Sequence, residues 1–312
     1  MSHEFELIAK HFAPLGAIGD PNRFLVGQGD DCAVVNPDTR PMAFSIDTQV
    51  SGVHFFDNDT PEHIASRGFN SALSDLAAMA ATPAFFTLAL SLPKHCDDDW
   101  IAAYAMTLAK LAHQWQIPLI GGDTTTSPTL VQTFQVHGYV DQAPLTRSGA
   151  HLGDWVVVTG TLGDAAAALQ CIKQGKIPAD PLHRAFYFPE PQIAIAKAIA
   201  PFATACIDIS DGLLADLGHL CHASGLGAQI NAPSLPLSAE FMATVAPDNQ
   251  LTTALTGGDD YQLCFTLPPQ HWSQIAHLPL TPIGKITEQA GVTVLNANEQ
   301  PIPMAKSGYQ HR

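Results

Sequence analysis

Five short segments of this 312-residue chain place aspartate beside glycine or at the end of a predicted strand. Hard cations such as Mg²⁺ take oxygen ligands in proteins, usually a few carboxylates together with water and substrate phosphate. Short Asp side chains on tight turns can converge on one ion, although Asp and Gly are also ordinary turn residues. The five segments are Gly29-Asp30-Asp31, Asp47-Thr48, Gly121-Gly122-Asp123, Asp208-Ile209-Ser210-Asp211-Gly212 and Gly257-Gly258-Asp259-Asp260.

Asp75 is the single charged residue between Gly68 and Pro93. A buried lone carboxylate costs several kcal/mol unless it is paired or bound to a metal ion. The surrounding sequence offers no cation, which favours a metal ligand. The alternative is a solvated helix face that Asp75 shares with nearby polar residues.

The charge balance points to metal-assisted phosphate chemistry. Lys and Arg number 14 against 29 acidic residues, and the formal net charge is −15. Such a surface repels nucleic acid and anionic membranes, so neither is expected as a partner. An enzyme that transfers phosphate must neutralise charge spread over the transferred group. With so few cationic side chains, Mg²⁺ ions would have to do this, and we predict a magnesium-dependent phosphotransfer enzyme.

Other site patterns are weaker. The sequence contains no GxxxxGK[ST], no GxGxxG after a strand and no GxSxG, which disfavours P-loop, Rossmann and hydrolase-triad interpretations. His219 and His222 lack a third zinc ligand at suitable spacing. Arg147 is a candidate phosphate contact or a surface salt-bridge partner. His54, which precedes two phenylalanines, is a candidate substrate contact or a structural histidine.

Hydrophobic periodicity predicts strands and helices that alternate along the chain, which indicates an α/β or α+β fold. Alternation puts Ser45 and Asp47 on one strand face, and likewise Asp208 and Ser210. A short strand at 117–120 is expected to end at Gly121-Gly122-Asp123. Strands are predicted at 42–50, 84–92, 130–140, 155–159, 203–209 and 261–267, and helices at 61–79, 97–114, from 164 onward and up to 223.

The turn-rich segment from Asp141 to Asp154 predicts a domain boundary. We expect an N-terminal domain over residues 1–148, and the family resemblance described below implies that this domain binds ATP and metal and forms the dimer. The C-terminal α/β domain is expected over residues 149–312.

A cytoplasmic location is expected. Met1 to Phe12 resembles a short amphipathic helix, without the basic start and apolar core of a signal peptide. The weakly charged stretch from Gly68 to Pro93 is interrupted by Pro83, which predicts a buried helix and strand and no membrane span. The six cysteines form no CxxC pair and are expected to be reduced thiols.

Eight ordered motifs resemble those of the bacterial thiamine-monophosphate kinases. The resemblance runs from Phe5 to the terminal Gly308-Tyr309, and eight motifs in order are far more specific than any one of them. They are Gly27-Gln28-Gly29-Asp30-Asp31-Cys32-Ala33, Ser45-Ile46-Asp47-Thr48, Gly52-Val53-His54-Phe55, Asn70-Ser71-Ala72-Leu73-Ser74-Asp75-Leu76-Ala77-Ala78-Met79, Gly121-Gly122-Asp123-Thr124, Leu145-Thr146-Arg147-Ser148-Gly149-Ala150, Asp208-Ile209-Ser210-Asp211-Gly212-Leu213 and Gly257-Gly258-Asp259-Asp260-Tyr261.

The resemblance implies an enzyme that converts ATP and thiamine monophosphate into ADP and thiamine diphosphate with several Mg²⁺ ions. It implies the two-domain fold of aminoimidazole ribonucleotide synthetase, in which the mixed N-terminal sheet forms a barrel across a homodimer. The transfer would be in-line, with a substrate phosphate oxygen attacking the γ-phosphorus. That oxygen is already ionised near neutral pH, so no strong general base is needed.

The resemblance also implies roles for individual residues. Metal ligands match Asp30, Ser45, the backbone near Ile46, Asp47, Asp75, Asp123, Asp208 and Asp211. Nucleotide contacts match Tyr104, Gly122, Asp123, Arg147 and Ser210. Substrate contacts match His54 and Asp259, with Tyr309 as a nearby candidate. The residues expected to act in catalysis are Asp47, Asp123, Arg147 and Asp211.

The chain departs from the family pattern at two positions. Asp259 replaces the usual Glu and is one methylene shorter, while it keeps the acidic character suited to a cationic thiamine ring system. Lys306 stands where relatives carry an aromatic residue, three before the tyrosine of Gly308-Tyr309. Asp31 and Asp260 are left with structural roles.

Two other classes of protein remain as alternatives. The first is another enzyme of the same superfamily, such as aminoimidazole ribonucleotide synthetase, a hydrogenase-maturation dehydratase or selenophosphate synthetase. The second is a non-catalytic binding protein whose aspartates hold structural Ca²⁺ or form turns. EF-hand spacing is absent, which disfavours the calcium version.

Overall fold

The computed structural model describes residues 6–305 and residue 308. The chain divides into two compact units, one of Met1–Leu76 and Ala81–Gln142, the other of Ala77–Ala80 and Ala143–Arg312. The division after Gln142 falls in the turn-rich segment of residues 141–154. No helix in the described part of the chain is long and apolar enough to cross a membrane.

The first unit is built on a four-stranded mixed sheet with the order β3-β6-β4-β5. Strands β4 and β5 are parallel, and β6 is antiparallel to both β3 and β4. A small antiparallel pair, β1 and β2, precedes this sheet. The strands are β1 (Phe24–Val26), β2 (Val34–Val35), β3 (Met42–Val50), β4 (Thr82–Leu92), β5 (Leu119–Thr126) and β6 (Val131–Tyr139).

Two helices, α1 (Pro61–Ala78) and α2 (Asp98–Trp115), cover one face of this sheet. On α1, the ring of Phe69 packs edge-on against Phe86 and Phe134 of the sheet. Helix α1 begins with a proline and a first-turn acid, and α2 begins after Asp97, whose side chain accepts a hydrogen bond from the Trp100 backbone N–H. These start signals lie where the sequence predicted them.

The opposite face of the sheet carries exposed apolar side chains. Met42, Phe44 and Ile46 alternate along β3 and point away from the helices, with 46%, 67% and 66% of their surface exposed. Strand alternation explains this, because residues two apart share one face. Part of the same face is covered by Phe24 of β1, which packs edge-on against Phe85 of β4.

The second unit contains a seven-stranded sheet with the order β13-β12-β9-β11-β7-β10-β8. Neighbouring strands are antiparallel except for β9 and β12, which are parallel. Its strands are β7 (Trp155–Thr159), β8 (Ala205–Asp208), β9 (Gly227–Asn231), β10 (Leu263–Leu267), β11 (Leu280–Thr287), β12 (Gly291–Leu295) and β13 (Pro301–Ile302). Its helices are α3 (Asp164–Lys173), α4 (Asp180–Tyr187), α5 (Ile193–Ile199), α6 (Leu213–Ser224), α7 (Ala239–Thr244), α8 (Pro247–Thr256) and α9 (Trp272–Ile275).

Strand β5 corrects one prediction. Gly121-Gly122-Asp123 was expected to break the strand, yet β5 continues through it to Thr126. A Cβ at Gly122 would lie 2.0 Å from the carbonyl oxygen of Leu88, so glycine permits β4 and β5 to approach. The tripeptide therefore lies within the sheet, with Gly122 at a point of close strand approach that a turn signature in the sequence does not reveal.

Candidate active site

Oxygen side chains of β3 and α1 meet on the helix-covered face of the first sheet. The Ser45 hydroxyl donates a hydrogen bond to Asp75 Oδ2 at 2.5 Å, and the Ser71 hydroxyl donates one to Asp47 Oδ2 at 3.0 Å. The structure thus brings together three of the predicted metal ligands, namely Ser45, Asp47 and Asp75. All three residues are half-buried.

Matched spacing explains why both pairs form. Ser45 and Asp47 are two residues apart on a strand, a rise of about 6.6 Å. Ser71 and Asp75 are four apart on one helix face, a rise of about 6 Å. Because these rises are nearly equal, the two strand residues meet the two helix residues together. Asp75 therefore accepts a hydrogen bond from a hydroxyl group, which offsets part of the free-energy cost of burying its carboxylate.

Asp123 lies at the other edge of the same sheet. Strands β3 and β5 are the two edges, separated by three strand spacings or about 14 Å. Cross-strand pairing connects Asp123 to Ala89, Ala89 to Thr133 and Thr133 to Thr48. Thr48 follows Asp47 directly on β3, so its side chain and that of Asp123 point to the opposite face of the sheet from Asp47. Asp123 therefore belongs to the open face, and the chain alone does not bring it to Asp47.

Three other predicted residues of this unit lie on the surface or in turns. Asp30 is exposed between β1 and β2, and its Oδ1 accepts from the Asp31 backbone N–H at 2.9 Å. Ile46 projects from the open face of β3. His54 follows β3, and its Nδ1 accepts from the Val50 backbone N–H at 3.0 Å, which leaves the proton on Nε2.

Tyr104 corrects another expectation. It was predicted as a nucleotide contact, but its side chain projects from the buried face of α2 and is fully buried. Its hydroxyl donates to Gln132 Oε1 at 2.7 Å. Burial raises the pKa of this phenol well above its ordinary value, so it remains a neutral donor. A nucleotide cannot reach this side chain without rearrangement of the core.

In the second unit, the segment after β8 is held by one buried carboxylate. Asp216 Oδ2 accepts from the backbone N–H groups of Ser210, Asp211 and Gly212 at 3.0, 3.1 and 3.1 Å. Burial, followed by the charge of Asp211, raises the pKa of Asp216 to about 7, while the three N–H donors act in the opposite direction. This contact sets the turn that presents Ser210 and Asp211, whereas Asp208, the last residue of β8, is buried.

A second loop, Gly257 to Tyr261, packs against that turn. The Asp259 N–H donates to the Ser210 carbonyl and the Tyr261 N–H to the Ile209 carbonyl, both at 2.8 Å. The approach is tight, since a Cβ at Gly258 would lie 2.5 Å from the Ser210 oxygen. Two motifs that are distant in sequence therefore form one surface in this unit.

Within this loop the two acids have different surroundings. Asp259 has a φ of +71°, an uncommon conformation for a non-glycine residue, and the Tyr261 hydroxyl donates to its Oδ1 at 3.2 Å. Both carboxylate oxygens of Asp260 accept a hydrogen bond from the Gly163 backbone N–H, each at 2.9 Å. The pKa of Asp260 is raised well above its ordinary value, chiefly by burial. Asp259 is thus half-buried beside Tyr261, whereas the buried Asp260 ties two loops together.

Arg147 is exposed in the segment that runs beside β8. The neighbouring Thr146 carbonyl accepts from the Cys206 N–H at 2.8 Å, two residues before Asp208. At the C-terminal end, a Cβ at Gly308 would lie 2.7 Å from the Asp211 carbonyl, so the described tail residue lies beside this turn. Tyr309, the remaining predicted substrate contact, is outside the described residues.

No preformed metal cluster of three or more His, Cys, Asp or Glu side chains exists among residues 6–305 and 308. Mg²⁺ commonly binds through one or two carboxylates with water and substrate phosphates, so the Ser45, Asp47 and Asp75 oxygens suit it without such a cluster.

Sequence reasoning missed three residues that hold the site together. Ser71 donates a hydrogen bond to Asp47, Gln132 accepts one from the Tyr104 hydroxyl, and Asp216 accepts backbone hydrogen bonds that shape the 208–212 turn. The sequence contains a feature that could have identified two of these residues, Gln132 and Asp216. Gln132 is a polar residue at a buried strand position, and Asp216 is an acid in the first turn of a helix otherwise rich in leucine.

Comparison with known proteins identifies relatives over nearly the full length. Residues 29–140 match the family model "AIR synthase related protein, N-terminal domain", and residues 152–295 match "AIR synthase related protein, C-terminal domain". The thiamine-monophosphate kinase of Escherichia coli strain K12 is 40% identical, with 99% of this chain and 98% of that protein covered.

Two solved structures also resemble this chain over most of its length. The crystal structure of thiamine-monophosphate kinase from Stenotrophomonas maltophilia K279a superimposes with a TM-score of 0.85 at 38% identity, covering 92% of this chain and 95% of that one. AaThiL complexed with AMPPCP and TMP gives 0.81 at 30% identity, covering 91% of each chain. The predicted two-domain aminoimidazole ribonucleotide synthetase-like fold, with mixed α/β content, is confirmed. This chain belongs to the thiamine-monophosphate kinase family.

Proposed function

We propose that this protein transfers the γ-phosphoryl group of ATP to thiamine monophosphate, forming thiamine diphosphate and ADP. Its full-length relatives carry the name of this activity, and AaThiL was crystallised with AMPPCP and TMP. The structural observation that carries the proposal is the meeting of Ser45 and Asp47 with α1 at Asp75 and Ser71. Such a group of hard oxygens is suited to a cation that binds phosphate.

Mg²⁺ is the proposed metal. Asp47, Asp75 and Ser45 supply carboxylate and hydroxyl oxygens within one half-buried patch. The remaining proposed ligands are Asp30, the Ile46 backbone, Asp123, Asp208 and Asp211. When bound, Mg²⁺ neutralises charge on the reacting phosphates, which this acidic chain has few cationic side chains to do.

Nucleotide and substrate are assigned to separate residues. We assign the nucleotide to Gly122, Asp123, Arg147 and Ser210, and omit Tyr104 because it is buried. Arg147 offers an exposed guanidinium for phosphate. His54 and Asp259 are assigned to thiamine monophosphate, with Tyr309 retained as a candidate. A carboxylate at 259 complements a cationic ring, and the Tyr261 hydroxyl orients it.

We further propose that the active enzyme is a homodimer. Ligands of one Mg²⁺ lie about 2 Å from the ion, whereas the edge strands that carry Asp47 and Asp123 are about 14 Å apart. A second copy, packed on the apolar face of Met42, Phe44 and Ile46, would close the sheets into a barrel. Closure of the barrel would set the β5 edge of the partner subunit, which carries Asp123, beside the β3 edge that carries Asp47.

The proposed transfer is direct and in-line. The attacking phosphate oxygen of thiamine monophosphate is ionised near neutral pH, so the protein's task is to align two anions. We place the reaction in the cytoplasm, since all six cysteines are free thiols.

Incubation with MgCl₂, ATP and thiamine monophosphate, followed by chromatography for thiamine diphosphate, tests this function. We expect stoichiometric thiamine diphosphate and ADP. Absence of product together with a melting temperature that does not respond to MgCl₂ would favour a non-catalytic binding protein. ATP consumption with another superfamily substrate, but not with thiamine monophosphate, would indicate a different enzyme.

A further inference from the structure

Four hydrogen bonds form a continuous buried chain that ends at Asp47. Tyr104 Oη donates to Gln132 Oε1 at 2.7 Å, and Gln132 Nε2 donates to Gln49 Oε1 at 3.1 Å. Gln49 Nε2 then donates to Ser71 Oγ at 2.9 Å, and Ser71 Oγ lies 3.0 Å from Asp47 Oδ2. Every donor points toward the carboxylate.

The direction of this chain is fixed at the Ile64 carbonyl. Gln132 Nε2 also donates to that oxygen at 2.8 Å, and a carbonyl can only accept. The Gln132 amide therefore turns its oxygen to Tyr104 and its second N–H to Gln49. Gln49 is left to donate to Ser71, whose single proton is shared between Asp47 and the Gly68 carbonyl at 3.1 Å.

Packing prevents the chain from reorienting. Tyr104 and Gln132 are fully buried, and Gln49 and Ser71 are 3% exposed. A Cβ at Gly68 would lie 2.3 Å from Gln132 Nε2, so the backbone of α1 packs directly against the Gln132 side-chain amide. Hydrogen bonds aligned in one sense polarise one another, and in a dry interior each is strengthened.

We propose that Ser71, Gln49, Gln132 and Tyr104 are positioning residues that hold the Asp47 carboxylate in the orientation required to bind Mg²⁺. This inference rests on the proposed function for the identity of the cation. It gives Tyr104, whose side chain is fully buried, an indirect role at the site. It also explains why the neighbouring strands β3 and β6 carry the cross-strand pair Gln49 and Gln132 on their buried face instead of apolar residues.

The test compares Ser71→Ala and Tyr104→Phe with Ser66→Ala. Ser66 is a matched control, since it is equally buried on the same helix and its hydroxyl accepts from Asn70 at 3.3 Å. The melting temperature is followed during titration with MgCl₂ at saturating AMPPCP, which reports cation binding without turnover. Asp47→Asn serves as the reference for loss of the ligand.

We expect Ser71→Ala to raise the half-saturating Mg²⁺ concentration about tenfold, as loss of a hydrogen bond to a charged group would. Tyr104→Phe, four bonds away, should raise it roughly threefold. Ser66→Ala should leave it unchanged. In kinetics, the Mg²⁺ dependence of turnover should move in step, with kcat at saturating Mg²⁺ nearly retained.

The proposal is overturned if Ser71→Ala and Tyr104→Phe lower the melting temperature without MgCl₂ but share the half-saturation of Ser66→Ala. That pattern is what a purely structural role gives. If Ser71→Ala does not fold, the near-isosteric Tyr104→Phe decides the outcome. Failure of the wild type to form thiamine diphosphate would defeat the kinase assignment alone, because the cation titration requires no turnover.

Discussion

Ser45 of β3 donates its hydroxyl proton to Asp75 of α1 at 2.5 Å, and this contact joins the strand and the helix that carry the proposed metal ligands. Two motifs separated by 30 residues are thereby combined into one oxygen-rich patch. The contact also accounts for an acid in a stretch of otherwise uncharged sequence.

The first prediction concerns Asp75. Asp75→Asn keeps an oxygen that accepts from Ser45 but removes the negative charge, so the fold should persist while turnover falls about a hundredfold. Thiamine diphosphate formation at saturating ATP measures this. Asp99→Asn, an exposed first-turn acid of α2, is the control and should stay near wild type. Near-normal turnover of Asp75→Asn would remove Asp75 from the metal site.

The second prediction concerns the separation of Asp47 and Asp123 across the sheet. Asp47→Asn and Asp123→Asn should each abolish turnover as homodimers. Mixed subunits should recover about a quarter of wild-type activity, because about half of the dimers are mixed and each rebuilds one site. No recovery after verified subunit exchange would mean that both aspartates act within one chain.

The third prediction concerns the apolar face of β3. Phe44→Glu places a charge on a side chain that is 67% exposed in the chain, so the subunit should fold but fail to dimerise. Sedimentation velocity should show a monomer, with turnover lost. Met106→Glu alters an exposed apolar residue of α2 and should remain dimeric. A dimer formed by Phe44→Glu would place the interface elsewhere.

The fourth prediction separates two adjacent glycines. Gly122→Ala brings a Cβ within 2.0 Å of the Leu88 carbonyl, whereas a Cβ at Gly121 meets nothing closer than 4.0 Å. We expect Gly122→Ala to lower the free energy of unfolding by roughly 1–3 kcal/mol or more and Gly121→Ala to change it little. Urea denaturation of both variants measures the difference. Equal stability would show that β4 and β5 can separate at no cost.

The fifth prediction concerns pH. His137 stacks on Phe85 with ring centroids 4.4 Å apart, and burial lowers its pKa below the usual 6.5. Below pH 6.5 the unfolded chain binds a proton that the folded chain resists, so stability falls on acidification through this window. His137→Gln should show a shallower loss between pH 7.5 and pH 5 in urea denaturation. Parallel curves for both proteins would contradict the assignment.

Much of the local structure follows from the sequence. Strand β3 occupies residues 42–50 as the alternation predicts, and helix α1 begins at Pro61 where the start signal lies. Short-range patterns suffice here because each element buries a single face. The boundaries of β5 could not be predicted, since the fit of Gly122 against Leu88 depends on a strand more than thirty residues earlier.

The sequence by itself determined the family, through eight ordered motifs, and it predicted the chemistry, through aspartates in place of cationic side chains. Only the tertiary structure decided which of those residues meet. It paired Ser45 with Asp75, moved Asp123 to the opposite edge from Asp47, and buried Tyr104 behind Gln132. The physical reason is that motifs specify side-chain type and local conformation, whereas strand order and helix packing arise from contacts between segments far apart in the chain.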